Sequence, residues 1–154
     1  MNLTDIEYKE DGLLVWNRTK GRAICGKPVG NKSKYGYIET KVQNKRLKVH
    51  HIVWYLHKGY FPVRLDHINR DRTDNRIENL RECTAQENNR NRSNDSVKRK
   101  LPRNVYTSKS VGKYRVLLSM GGKSLCFGTF SNVADADIVA KQARELYYGD
   151  FAGS

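Results

Sequence analysis

At 154 residues with a formal net charge of +13 and a sequence pI of about 9.8, the chain is long enough for one domain or two small ones and favours a polyanionic partner. Its three cysteines, Cys25, Cys83 and Cys126, lie far apart with no C-x-x-C pair, which indicates neither a disulfide framework nor a zinc cluster and fits a reducing compartment. No apolar run reaches the length of a membrane span, and the acidic, mixed N-terminus is not expected to be a signal peptide.

Residues 1–11 carry Asp5, Glu7, Glu10 and Asp11 against Lys9. As the one locally acidic segment, they are expected to pack away from a polyanion. Residues 13–16 read as a strand, and the basic stretch 17–34 is broken into turns by Gly21, Gly26, Pro28 and Gly30. Residues 39–42 and 47–49, either side of a polar N-K-R turn, read as a hairpin. Each Lys or Arg there suits a solvated face as well as a phosphate contact. At residues 50–57 the period changes. Ile52, Val53 and Leu56 fall at helical spacing, and Gly59 and Pro62 end the element.

The centre of the chain is 63–92, V-R-L-D-H-I-N-R-D-R-T-D-N-R-I-E-N-L-R-E-C-T-A-Q-E-N-N-R-N-R. Val63, Leu65 and Ile68 make a short strand-like run, while residues 69–75 are too polar and turn-rich to continue it. Thr84 and Glu87 form a T-x-x-E capping box, so a helix should start at Ala85 and run to about Arg92. Strand, turn and helix would bring Asp66, His67 and Asn88 within reach of one another. A carboxylate and an amide oxygen are hard ligands suited to Mg²⁺. A neutral imidazole, with its ordinary pKa of about 6.5, can take a proton from an attacking water. His50 and His51 are candidate accessory residues, although packed histidines are the commoner outcome. Ile77 and Leu80 should fill a small core, Asp71 and Asp74 suit ion pairs with nearby arginines, and Asn75 reads as a turn residue.

Residues 90–103 hold Arg90, Arg92, Lys98, Arg99, Lys100 and Arg103 against the single acid Asp95. Such a composition precludes a packed core and reads as a linker, lying along a polyanion or simply solvated. Beyond it, residues 104–107 can form a strand, and Tyr114, Val116, Leu118 and Met120 alternate with Lys113, Arg115, Leu117 and Ser119. Gly121-Gly122 is a two-residue hairpin turn, and residues 123–130 return as a third strand. Ser131 or Asn132 caps a helix with Val133, Ala136, Val139, Ala140, Ala143 and Leu146 on its apolar stripe, closing at Gly149. Tyr147 and Tyr148 should be core.

The 63–92 stretch resembles the H-N-H endonucleases of the ββα-metal superfamily, in particular those of phage genomes and mobile introns. The resemblance implies Asp66 as a metal ligand, His67 as general base, Asn79 as the brace of the loop and Asn88 as the second metal ligand. With Asn88 where many relatives carry His, this is an H-N-N variant suited to one Mg²⁺ per site, with Mn²⁺ able to substitute, and not to zinc. V-H-H-I-V-W resembles the segment that precedes the metal motif in phage H-N-H proteins, where one His recurs at the position of His50. K-Y-R-V-L-L-S-M-G-G-K-S-L-C-F-G-T-F, with the following helix and Y-Y-G-D-F-A, resembles the ethylene-response-factor DNA-binding domain of plant transcription factors, which is also appended to phage H-N-H nucleases. That similarity covers most of 104–152. It implies Lys113, Arg115 and Lys123 as DNA contacts, with Leu117, Ser119 and Ser124 where relatives often place basic residues.

The expected chain is therefore α+β. A ββα-metal nuclease domain with N-terminal β-hairpins (1–92, metal finger 63–92) is joined by a basic linker (93–103) to a three-stranded antiparallel sheet backed by one helix (104–154). Arg76, Arg81, Arg90, Arg92, Lys98, Arg99, Lys100 and Arg103 would add DNA contacts. The expected function is a Mg²⁺-dependent, homing-type endonuclease on double-stranded DNA in the host cytoplasm, a monomer or weak dimer with no membrane or protein partner. The alternative is a non-catalytic DNA-binding protein or regulator with a decayed nuclease finger. The intact Asp66, His67, Asn79 and Asn88 favour the enzyme.

Overall fold

A computed structural model describes residues 3–91 and 100–153. The chain is a mixed α/β protein of small antiparallel sheets and few helices. It divides into two compact units, Met1–Ala85 and Gln86–Ser154. Among the described residues no helix is long and apolar enough to cross a membrane.

In the first unit, β1 (Ile6–Tyr8) pairs antiparallel with β2 (Leu14–Trp16). The described part of the acidic segment is thus built into a hairpin. Alternation in the short I-E-Y run buries Ile6, and Asp5 is buried against the Arg18 guanidinium. β3 (Asn31–Lys32), β4 (Ile38–Val42) and β5 (Lys45–Lys48) form a three-stranded sheet. The β4–β5 turn is Gln43-Asn44, both with positive φ, a conformation that suits the right-handed twist of a hairpin and tolerates Asn. The expected N-K-R turn is therefore displaced toward the N-terminus, and Lys45 and Arg46 both join the strand.

α1 (Val49–Lys58) follows β5 directly and ends at Gly59, whose φ of 81° lets its N–H bond back to Tyr55 O. Its face of Val49, Ile52 and Val53 packs with Leu14, Trp16, Leu65 and Leu80 in one core. That core seats the hairpin of β6 (Leu65–His67) and β7 (Leu80–Glu82). β6 is shorter than the sequence pattern implied. Val63 is fully exposed and Ile68 is largely so, because neither faces this core.

The second unit holds all but the first residue of α2 (Ala85–Arg90) and a three-stranded antiparallel sheet of β8 (Val105–Thr107), β9 (Tyr114–Met120) and β10 (Lys123–Phe130), in the order β10-β9-β8. Gly121 and Gly122, with φ of 54° and 80°, make the β9–β10 turn. α3 (Val133–Tyr148) is capped by Asn132, whose side chain accepts from Ala134 N at 2.8 Å. Ala136, Ala140 and Ala143 lie against Val105, Val116 and Leu118; small residues on the helix let it approach the sheet closely. Leu146, expected on that stripe, is 78% exposed, and Tyr148 is buried in its place with its OH donating to Ser119 O. α2 closes this unit through Arg90. The Arg90 guanidinium lies 4.6 Å from the Tyr148 ring centroid, and its carbonyl accepts from Arg103.

Candidate active site

The β6–β7 register pairs Asp66 with Arg81 and His67 with Leu80. Side chains alternate across a strand, so Asp66 and Arg81 share one face of the hairpin while His67 shares the other with Leu80. Asp66 is 8% exposed and His67 4%. Arg81 donates to Asp66 Oδ2 twice, from Nε at 3.1 Å and Nη2 at 2.9 Å. A buried carboxylate requires such a partner.

The loop between the strands is tied by its own polar side chains. Asn79, buried just before β7, accepts from Asn69 N at 3.0 Å through Oδ1 and donates through Nδ2 to Asn69 Oδ1 and Asp74 O at 3.0 and 2.8 Å. Asp71 Oδ1 accepts from the backbone and hydroxyl of Thr73 at 2.9 and 2.7 Å, which holds its carboxyl below the usual range. Arg76 grips both carboxylate oxygens of Asp74 at 2.9 and 2.8 Å and draws its pKa down to about 2.

This loop delivers Asn75 to His67. Asn75 is buried. Its Nδ2 donates to Thr73 O at 3.2 Å, which turns Oδ1 toward His67 Nε2, also at 3.2 Å. An amide oxygen only accepts, so His67 carries its proton on Nε2 and Nδ1 is its basic nitrogen. Burial holds the His67 pKa below its ordinary value, against the opposing pull of Asn75, Asp66, Asp71 and Asp74. The ring is therefore neutral at pH 7. Read as a turn residue in the sequence, Asn75 gave no local signal of this role, because its partner is eight positions away.

His50 packs edge-on to His67 with ring centroids 4.8 Å apart, and His51 lies 4.8 Å from His50. His50 is 2% exposed, and its Nδ1 is buried without a hydrogen-bond partner. Burial, followed by the neighbouring His67, His51 and Lys48, lowers its pKa to about 2. Burial and Lys48 lower that of His51 as well.

Among the described residues no group of three or more His, Cys, Asp or Glu could hold a metal ion. A hard cation that keeps its waters and needs one or two protein oxygens does fit. A carboxylate offers about four acceptor positions, so Asp66 can ligate an ion while still accepting from Arg81 at Oδ2. Asn88, the other expected ligand, stands half-buried on α2 in the second unit.

Of the residues expected on DNA, Arg76 and Arg81 are engaged in the ion pairs above, and Arg90 and Arg103 in contacts within the second unit. Lys100 and Lys113 are exposed. Arg115 lies on the sheet face away from α3, beside Tyr106 and Thr129 in the register. Lys123 pairs with Met120, whose side chain packs into the α3 core, so it does not share that face with Arg115. Arg92, Lys98 and Arg99 lie outside the described residues.

Residues 47–90 match the family model of HNH endonucleases. The match spans α1, the β6–β7 hairpin, the Asn75 loop and α2, and supports a nuclease with DNA as its substrate. No curated protein and no solved structure matches the chain.

Proposed function

We propose that the protein is a Mg²⁺-dependent DNA endonuclease of homing type that hydrolyses one phosphodiester bond per site. The observation that carries this reading is the buried, neutral His67, held through Nε2 by Asn75 and next in sequence to Asp66, inside the HNH-matched stretch. His67 Nδ1 takes a proton from water as the water oxygen bonds to phosphorus and the bond to the 3′ oxygen breaks. The leaving oxygen acquires its proton from solvent. Asp66 and Asn88 would hold the ion, Asn88 on the strength of its position in the matched stretch. What Mg²⁺ supplies when bound is charge to stabilise the pentacoordinate phosphoryl group and the leaving oxygen. Asn79 keeps the loop, and hence Asn75, in register. The sheet of the second unit, read as an ethylene-response-factor-like module, would choose where the cut falls, with Arg115 on its outer face.

Incubating supercoiled plasmid with the protein and Mg²⁺, beside EDTA and a His67→Ala variant, tests the reading. Metal-dependent nicking lost in the variant is expected, with DNA affinity retained. Undiminished cutting by His67→Ala removes His67 as the base, and binding without any cutting moves the protein to the regulator class.

A further inference from the structure

The three-stranded sheet and the loop after β6 converge on Tyr37. The Lys48 ammonium lies 4.3 Å from the Tyr37 ring centroid and the Arg72 guanidinium 4.9 Å from it. The same ring stands 6.0 Å from the imidazole of His67 and 5.4 Å from that of His50. One aromatic ring therefore ties two cations to the candidate catalytic histidine.

These cations differ from several arginines of the same unit. Arg18, Arg46, Arg76 and Arg81 each have a carboxylate partner, in Asp5, Glu39, Asp74 and Asp66. Among the described residues Lys48 and Arg72 make no such pair. Even Glu39, directly across the hairpin from Lys48, turns to Arg46 at 3.8 Å. A cation over a ring is held by its charge and keeps its N–H donors. Arg72 uses one donor on Tyr35 O at 2.7 Å, and a guanidinium has five. Both side chains are exposed. With no carboxylate among the described residues to offset either charge, each cation keeps N–H donors for an anion. Lys48 is also among the charges, after burial, that depress His50 and His51, so its field reaches the histidines. A phosphate suits the pair because the planar fork of Arg matches its oxygens two at a time and Lys adds a point charge.

We propose that Lys48 and Arg72, seated on Tyr37, form a phosphate-binding pair that takes the DNA backbone beside the bond to be cut. The proposal rests on the endonuclease reading for its ligand; the sequence left Lys48, like the other charges of its hairpin, equally suited to a solvated face, and gave Arg72 no role on DNA.

The test is binding of a labelled DNA duplex to the full chain in EDTA over a series of salt concentrations, read as the slope of log K against log[salt]. Each lost phosphate contact lowers the magnitude of that slope by about 0.9. Lys48→Gln with Arg72→Gln should lower it by about 1.8, and Tyr37→Leu should lower it too, whereas Tyr37→Phe, which keeps the ring, should not. Arg22→Gln, an exposed charge on the loop after β2, should leave the slope as it is. An unchanged slope in the double variant overturns the proposal, as does an equal loss per charge in Arg22→Gln. Plasmid cutting with Mg²⁺ separates the two ideas. A slope lowered in the double variant, with a wild type that never cuts, removes the nuclease and leaves the phosphate site, while cutting by the wild type with an unchanged slope in the variant does the reverse.

Discussion

The hydrogen bond from His67 to Asn75 sets the usable form of the imidazole. Asn75 Oδ1 can only accept, so it fixes the Nε2–H tautomer and presents Nδ1 as the base. Asn75→Ala should lower the single-turnover cutting rate by roughly 10- to 100-fold, the usual scale for losing an orienting partner, with little change in DNA affinity. Asn75→Asp keeps an acceptor and should restore much of the rate. Its carboxylate also favours the imidazolium, so the acid limb of the pH–rate profile should move to higher pH. A rate in Asn75→Ala equal to wild type would remove the orienting role. The same pocket sets a pH dependence of stability. His50, His51 and His67 all have folded-state pKa values below the ordinary value of 6.5, so the unfolded chain binds more protons below that pH. Stability is complete above about pH 6.5 and falls as the pH drops below it, by about 1.4 kcal/mol per pH unit for each proton taken up. Denaturant titrations at pH 7 and pH 5 should show this loss, and His50→Gln should reduce it. An identical loss in that variant would show that His50 is not a source.

At the scale of elements, the loop that carries Asn75 is supported from an unexpected side. Gly12, at the tip of the β1–β2 hairpin, has φ of +85°, and a Cβ there would lie 2.5 Å from Arg76 N and 2.8 Å from Asn75 C. Tyr8 OH accepts from Ile77 N at 3.3 Å. Gly12→Ala should destabilise the protein by about 1–3 kcal/mol and slow cutting as well, because the displaced backbone is the one that aims Asn75 at His67. A melting temperature and cutting rate equal to wild type would mean the hairpin tip is not a support. The acidic N-terminal segment concealed this role: three alternating residues are too few to mark β1 as a strand, and its contacts lie more than sixty positions away. Elements whose signals are local were legible. α1 followed from the spacing of Ile52 and Val53, the β9–β10 turn from Gly121-Gly122, and the start of α3 from Asn132. Asp66 and His67 stood out by residue type and spacing, and Asn79 through the resemblance to H-N-H endonucleases. Asn75, Tyr37 and Gly12 did not, because each acts through a partner that only the folded chain brings near.

For the whole molecule, the sequence and the packing mark different seams. The polar run 93–103 reads as a linker after a nuclease domain, yet the compact units divide at Ala85, ahead of α2. Within the second unit, α2 is held by Arg90 over the Tyr148 ring and by Arg103 on the Arg90 carbonyl. A chain ending at residue 103 would therefore lose the Tyr148 partner of the helix that carries Asn88. If the C-terminal module only selected the site, such a truncation would nick plasmid freely but without preference. The packing of α2 predicts instead that plasmid nicking itself falls steeply, at least 10-fold. Arg115→Gln in the full chain alters one charge on the outer sheet face and leaves α2 intact. It should weaken site preference while preserving the nicking rate on plasmid at low salt. Comparing the two proteins at equal concentration, with circular dichroism to report the folded fraction, separates targeting from assembly. Full nicking by the truncated chain would show that α2 needs nothing beyond residue 103 to serve the site.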